Sequence, residues 1–302
     1  YNTIPLSRAF YKMIEIYNTI DIVPQKYKNN MGIIANIAEG PGGFIEALYK
    51  KRSINNIYDK YYAITLKSKG NYIPGWVQFY KKKKKIINKN IFNLSYGNIY
   101  DIKTINNFLM NFKKKKAWLT TCDGGFDCSK DFNNQEKNSK KIIYIELIIS
   151  ILIQELNGTL ICKMFDLFTL FSVQLIYIIK SFYKKVYIIK PVTSRPANSE
   201  KYIIATGFKG IHSSFKTVFL NQIKAWNFKY GNLDNNIDLY FSNIIIPDNF
   251  MDKINNINIS LTENQIKYIN LTIKHIINKK SNTTNNKNYA LLWFYKNGIK
   301  FK

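Results

Sequence analysis

The chain has 302 residues, 46% of them apolar, which is enough for one large α/β domain or a domain with an extension. Its 45 basic and 19 acidic residues leave a formal net charge of +26, pointing to a polyanion partner, although abundant Asn, Ile, Lys and Tyr fit an AT-rich coding sequence that makes part of that charge passive. Three cysteines without CxxC spacing (Cys122, Cys128, Cys162) argue against a disulfide framework or zinc site and for a reducing, intracellular compartment; two histidines argue against a histidine metal centre, and no uncharged apolar run is long enough to span a membrane. The chain begins at Tyr1 rather than Met and without a signal-like start, as expected of a piece trimmed from a longer chain.

In chain order, Ser7 can cap a helix from Arg8 to about Asn18, with Ala9, Met13, Ile16 and Tyr17 on one face. After a polar loop (21–30), Ile33–Ile37 reads as a buried strand that runs into Ala38-Glu39-Gly40-Pro41-Gly42-Gly43-Phe44. A helix follows over Phe44–Lys51. A glycine turn between strand and helix aims free N–H groups and a positive helix end at a ligand above the strand. The loop lacks the Walker ending and the GxGxxG spacing, and an ordinary βα turn looks much the same.

Further strands are expected at Tyr61–Leu66, Ile91–Tyr96, Ala117–Cys122, Thr159–Phe165, Val186–Ile189 and Glu200–Phe208. Helices are expected at Ile102–Phe112, from about Lys140 to Leu156 with a stop at Asn157-Gly158, and at Thr169–Phe182. Residues 67–75 read as a loop. This alternation means βαβ units and a parallel sheet. Only the last connection is too short for a crossover, so Lys201–Phe208 is expected to run antiparallel. Beyond Lys209, helices are expected at Val218–Trp226 and Thr262–Ile277, and Ser281–Lys287 reads as a flexible spacer. Leu291, Leu292, Trp293 and Phe294 are apolar enough to dock back on the domain.

Ligands of open α/β sheets bind at the carboxyl ends of the strands. The glycine loop, Asp101, Asp123 and Lys163 belong to that edge. Glu200 opens the antiparallel strand and so starts there, and Lys12 reaches it from the first helix. Two lysines and carboxylates converging above a glycine loop have a natural use. A ribose 2′-hydroxyl is a poor nucleophile, and a lysine whose pKa is lowered by burial and a second lysine accepts its proton without a metal. Methyl transfer then proceeds in line from a sulfonium donor held over the loop.

Each residue also has a plainer reading. Lys163 can snorkel from an edge strand, Asp123 can form a turn, Glu200 can pair with Lys201, and Lys12 can be one more surface lysine. The lysine runs 81–85 and 113–116 are either solvated faces or phosphate contacts. Tyr61, Tyr62, Tyr72 and Trp76 either stack bases or pack in the core. Cys122 and Cys162 read as small core residues.

The stretches SRAFYKMIEI (7–16), AEGPGGFIEAL (38–48), YAITLK (62–67), CDGGFD (122–127), ICKMFDLFTLFSVQLIYIIKSF (161–182) and KPVTSRPANSEKYIIATGFK (190–209) are similar to the FtsJ-like 2′-O-ribose methyltransferases, more narrowly their cap-specific mRNA branch. The resemblance implies a Rossmann-like, mostly parallel seven-stranded sheet with an antiparallel last strand and a helical C-terminal extension. It implies a methyltransferase domain over 1–210, with 211–302 packing on it. S-adenosyl-L-methionine is the implied donor, with Glu39, Gly40, Pro41, Gly42, Gly43 and Phe44 in the donor loop and Asp101 on its adenine side.

A Lys-Asp-Lys-Glu tetrad maps onto Lys12, Asp123, Lys163 and Glu200. In it Lys163 is the general base, Lys12 and Glu200 support it, and Asp123 lies near the methyl group and the donor. Arg8, Ser194, Arg195, Asn198 and Ser199 match the RNA-holding segments. No metal is implied. One departure is visible: the second strand ends in Thr65-Leu66-Lys67, without the acid that grips the donor ribose in many methyltransferases, so Glu39 or a backbone group has to substitute.

The function this implies is methylation of the first transcribed nucleotide of capped mRNA, from cap 0 to cap 1. The alternatives are 2′-O-methylation of ribosomal or transfer RNA, and a non-catalytic RNA-binding subunit. The implied partners are the capped 5′ end and other capping enzymes or a larger multidomain chain, with no membrane. The compartment is the cytoplasm for a viral protein and the nucleus for a cellular one.

Overall fold

The computed structural model describes residues 4–67, 74–82, 88, 90–125, 131–225, 244–278 and 283–298. In order these form α1 (Ala9–Thr19), β1 (Ile33–Ile37), α2 (Gly43–Ser53), β2 (Lys60–Thr65), α3 (Val77–Lys82), β3 (Phe92–Tyr96), α4 (Ile102–Met110), β4 (Ala117–Cys122), α5 (Gln135–Ile153), β5 (Gln154–Met164), α6 (Leu170–Phe182), β6 (Tyr183–Ile189), β7 (Lys201–Phe208), α7 (Ser213–Ala225), α8 (Asp248–Ile277) and α9 (Thr283–Lys296). Among the described residues no helix is long and apolar enough to cross a membrane.

The strands make one seven-stranded sheet in the order β3-β2-β1-β4-β5-β7-β6. Neighbours from β3 to β5 are parallel, and β7 is antiparallel to both β5 and β6, as expected of the short 190–200 connection. A sheet covered on both faces needs strands apolar on both sides. Ile33, Ala35 and Ile37 of β1 pack toward α4, α5 and α6, while Ile34 packs toward α1 and α2. The strand order reverses between β1 and β4, so their carboxyl ends flank a crevice.

Several boundaries differ from the sequence expectation for tertiary reasons. Ser7 does not cap α1: the cap position is Arg8 without a side-chain bond, and the Ser7 hydroxyl is buried with no partner among the described residues. The chain entering α1 is pinned instead by Leu6 N–H donating to Glu46 Oε2 at 2.8 Å. The buried face of α1 is Phe10, Met13, Ile14 and Ile16. The α3 helix, which the sequence did not suggest, is held by buried Trp76 and Phe79.

Helix α5 stops at Ile153 rather than at Asn157-Gly158, and β5 begins at Gln154. There the Gln154 amide accepts from Thr120 Oγ1 and Tyr183 OH and donates to Thr159 O, which ties the chain into the sheet. Helix α8 starts at Asp248, far ahead of Thr262. Phe250, Ile254 and Asn258 recur at four-residue spacing on its buried face, and Asn258 Nδ2 donates to Leu167 O at 2.8 Å. Residues 283–287 of the expected spacer belong to α9. Of the four apolar residues expected to dock, Trp293 and Phe294 lie against Tyr11 at centroid distances of 5.7 and 5.9 Å, whereas Leu291 and Leu292 are exposed. Lys83–Lys85, Tyr72, Phe126, Cys128 and Trp226 lie outside the described residues.

The turn between α2 and β2 is fixed by a buried ion pair. Arg52 Nε donates to Asp59 Oδ2 at 2.6 Å, and its other nitrogens reach Tyr27 O and Asn30 O. Asp59 Oδ1 also accepts from Gly32 N and Trp118 Nε1. Removing one partner strands the other charge in the core. Arg52→Ala is therefore expected to destabilise the protein by about 3–5 kcal/mol. Urea unfolding checks this, and a loss of under about 1 kcal/mol, typical of surface pairs, contradicts it.

Candidate active site

A cleft of about 650 Å³ opens over the crevice between β1 and β4. Ala38, Gly40 and Pro41 follow β1 into it, Thr65 and Leu66 come from the end of β2, and residues 97–100 follow β3. Asp123, Gly124 and Gly125 follow β4, Lys163 comes from β5, Lys12 and Arg8 from the α1 side, and Arg195, Asn198 and Glu200 from the 190–200 loop. Ala38 is held at φ 53°, a left-handed conformation unfavourable for a residue with a Cβ, and this turns the chain sharply out of β1 beneath the cleft. The Gly40–Pro41 bond is cis.

Lys12, Asp123, Lys163 and Glu200 meet here. Lys163 Nζ donates to Asp123 O at 2.8 Å and lies 3.3 Å from Asp123 Oδ1. Lys12 Nζ pairs with Glu200 Oε1 at 2.6 Å. The register explains the meeting. Cys122 is level with Cys162 on parallel strands, so Asp123, just past the end of β4, comes level with Lys163 near the end of β5. Lys163 faces Tyr202 across the antiparallel pair, which leaves Glu200 just beyond the edge.

The electrostatics differ from the expected lowered lysine. Burial pulls the Lys163 ammonium down, but Asp123, Glu200 and Glu146 outweigh it and hold its pKa above the ordinary lysine value. Burial pushes the Glu200 carboxyl up, and Lys12, with help from Lys163 and Ser194, outweighs that and holds it below the ordinary value. The resting site is thus an ammonium caged by carboxylates. The second lysine answers Glu200 instead of depressing Lys163.

Two acids expected to bind the donor are turned elsewhere. Glu39 is buried, and its Oε1 accepts from Phe44 N at 2.7 Å at the start of α2. Burial, reinforced by Asp123, pushes its carboxyl well above the ordinary value. Asp101 caps α4, accepting from Lys103 N, Thr104 N and Thr104 Oγ1. Neither lines the cleft. An acid between a strand end and a helix start is drawn to the free N–H groups of the helix.

Gly42, Gly43 and Phe44 also sit behind the cleft surface. Gly42 takes φ 102° at the N-cap of α2, a Cβ on Gly43 would meet Ser7 Oγ at 2.3 Å, and Phe44 packs on Tyr202. Gly43 lets α1 approach α2, while Gly42 leaves room for Phe79 of α3. Of the loop residues expected to cradle the donor, only Gly40 and Pro41 line the cleft. Thr65 stands where an acid was missed, and its hydroxyl accepts from Gly40 N at 3.3 Å.

Arg8, Arg195 and Asn198 line the cleft, whereas Ser194 and Ser199 stand behind it. Ser194 Oγ donates to Glu200 Oε1 at 2.9 Å, and Ser199 Oγ donates to Gln135 Oε1 at 3.0 Å.

Sequence reasoning missed three supports. Tyr202 is buried and donates its hydroxyl to Asp123 Oδ1 at 2.9 Å. Its signal was its place two residues after Glu200 on a strand, hence on the same face. Glu146 of α5 is fully buried under the Asp123 turn and accepts from Gly124 N at 2.9 Å, and burial raises its carboxyl to about 8. Its signal was an acid within the apolar run Ile142–Ile153, the same oddity that marks Lys163. Lys190 Nζ donates to Asn198 O, Asn198 Oδ1 and Glu200 O, and burial lowers its ammonium to about 8. No sequence signal distinguished it from the other lysines.

Residues 5–208 match the family model of the FtsJ-like methyltransferases. The cap-specific mRNA (nucleoside-2′-O-)-methyltransferase 1 of Caenorhabditis elegans is 31% identical over 246 residues, covering 78% of this chain and 26% of that protein. The human protein of the same name is 32% identical over 219 residues, covering 68% of this chain and 25% of that protein. This chain thus spans about a quarter of the length of these curated relatives. Among solved structures, a putative ribosomal RNA methyltransferase from Plasmodium falciparum aligns with 68% of this chain and 99% of its own at 19% identity and a TM-score of 0.49. One family pattern running from ahead of α1 to the end of β7, over the sheet that carries the cleft, makes this chain a member of the FtsJ-like methyltransferase family, whose methyl donor is S-adenosylmethionine.

Proposed function

We propose that this chain methylates the ribose 2′-hydroxyl of the first transcribed nucleotide of capped mRNA, taking cap 0 to cap 1, with Lys163 as general base. The observation that carries the chemistry is the buried Lys163 ammonium, held by Asp123 at the cleft wall and flanked by the Lys12–Glu200 pair. Support for the capped substrate is the name carried by the relatives from worm and human.

The cleft fits the donor. Its volume of about 650 Å³ is that of a cofactor site, and backbone from Gly40, Pro41 and residues 97–100 lines one side. A Cβ on Gly125 would come within 3.1 Å of Lys163 Nζ, so glycine keeps the approach to the lysine open. In this reading Gly40, Pro41, Thr65, Leu66 and residues 97–100 hold the donor, with Gly42, Gly43, Phe44 and Glu39 shaping the loop behind them. When bound, the donor supplies an electrophilic methyl on a positively charged sulfur, which also disfavours a second positive charge on Lys163.

Neutral Lys163 accepts the 2′ proton at Nζ. The ribose oxygen forms its bond to the methyl carbon as the carbon–sulfur bond breaks. Asp123, oriented by Tyr202 OH and joined to Lys163, keeps Nζ aimed at the acceptor, and Glu200, held by Lys12 and Ser194, does so from the other side. Arg8, Arg195 and Asn198 grip the acceptor strand; Ser194 and Ser199 act through Glu200 and Gln135. The same reading takes 1–210 as the methyltransferase domain and 211–302 as an extension packed on it. It leaves room for other capping enzymes, or further domains of a longer chain, as partners.

Because Lys163 is held charged, its basic form grows as pH rises. Single-turnover transfer is expected to increase about tenfold per pH unit from pH 7 towards 9, and a flat profile contradicts a lysine base. Lys163→Arg keeps the charge and cannot give up its proton. It is expected to lower transfer by at least about a hundredfold while donor affinity by calorimetry stays near the parental value; retained activity contradicts the mechanism.

With labelled donor and short RNAs, a 5′ cap is expected to be required. Equal transfer to uncapped RNA contradicts the cap reading and favours ribosomal or transfer RNA. No transfer to any RNA, with binding retained, favours a non-catalytic subunit.

A further inference from the structure

The 190–200 loop brings Arg195, Asn198 and Glu200 to the cleft, and it is gripped from outside the cleft by residues of distant elements. The centre of that grip is Glu15 of α1. Its Oε1 accepts from Val192 N at 2.7 Å, and its Oε2 accepts from Thr193 N at 3.2 Å and Thr193 Oγ1 at 3.1 Å. The same Oε2 accepts from the indole N–H of Trp293 in α9 at 3.2 Å. A second helix beyond the family pattern reaches the far side of the loop: Gln265 Nε2 of α8 donates to Ala197 O at 3.2 Å. Glu15 does not line the cleft.

We infer that Glu15 is a positioning residue for the RNA acceptor, and that the C-terminal helix α9 sets the shape of the acceptor loop through it. The inference rests on the reading above that this loop holds the acceptor. One carboxylate gathers donors from the loop and from α9, and bonds to a charged acceptor are the stronger kind. Trp293 fixes the orientation of the carboxylate; the carboxylate fixes residues 192 and 193. Arg195 and Asn198 then stand at the cleft before RNA arrives. Ordering the loop on folding removes that cost from binding, so its loss appears mainly in KM for RNA.

The test uses the full chain with labelled donor and a short capped RNA. Glu15→Gln turns an amide donor toward groups that are themselves donors. It is expected to raise KM for RNA about tenfold, the effect of losing one charge-assisted hydrogen bond. Most of the change should fall in KM rather than kcat, with donor affinity at the parental value. Trp293→Phe keeps an aromatic ring against Tyr11 and removes the N–H together with one ring of the indole, and is expected to move KM the same way by less. Should Glu15→Gln fold poorly, this second variant still decides the point.

Asn198→Ala tests the underlying reading. If KM for RNA does not move in that variant, the loop is not the acceptor platform, and both readings fall. If Asn198→Ala raises KM and Glu15→Gln does not, the Glu15 inference falls alone. An effect of Glu15→Gln with none of Trp293→Phe overturns the link to α9. A parallel loss of donor affinity marks a general structural role and overturns positioning.

Discussion

The structure turns on a lysine kept charged in a place where water barely reaches it. Removing an ammonium from water costs several kcal/mol and is tolerated only when opposite charges and acceptors stand in good geometry. Lys163 has Asp123 in contact and Glu200 acting on it, delivered by β4 and β7, with Glu146 of α5, which burial keeps largely protonated near neutral pH, close by. Each of those acids is held in turn: Asp123 by Tyr202, Glu200 by Lys12 and Ser194, Glu146 by Gly124 N–H. The arrangement depends on strand register, since a shift of one residue would send Lys163 to the opposite face of the sheet.

The same charges shape the chemistry. A caged ammonium is a stable resting state and a poor base, so in the proposed reaction proton loss is coupled to arrival of a cationic donor. The expected second lysine does not depress Lys163 directly. Lys12 neutralises Glu200, which limits how firmly the carboxylates hold the Lys163 proton.

Acids at the ends of β1 and β3 bond helix starts. Glu39 bonds the N-terminus of α2 and Asp101 that of α4. The cleft there is lined by uncharged residues, among them Gly40, Pro41, Thr65, Leu66, Ile99 and Tyr100. Charge is concentrated where the 190–200 loop, Lys12, Asp123 and Lys163 line the cleft. Of the C-terminal helices, α8 bonds that loop at Ala197 O and α9 bonds Glu15 of α1, which in turn bonds the loop.

The sheet, its antiparallel strand and the four residues of the tetrad were legible in the sequence. Alternating apolar runs determine which segments are strands and which helices, a connection too short for a crossover determines the direction of β7, and a lysine among apolar neighbours in a strand marks itself. What local pattern could not determine was decided by packing. The end of α5 depends on Gln154 meeting Thr120, Thr159 and Tyr183. The start of α8 depends on a core that accepts Phe250, Ile254 and Asn258.

For the site, the sequence alone determined which ionisable residues reach one sheet edge. The tertiary structure decided which of them face the cleft and in what charge state. An acid beside both a helix start and a ligand site carries the same local pattern in either role. The pKa of Lys163 is set by carboxylates from elements far apart in the chain, and that balance exists only after they have packed together.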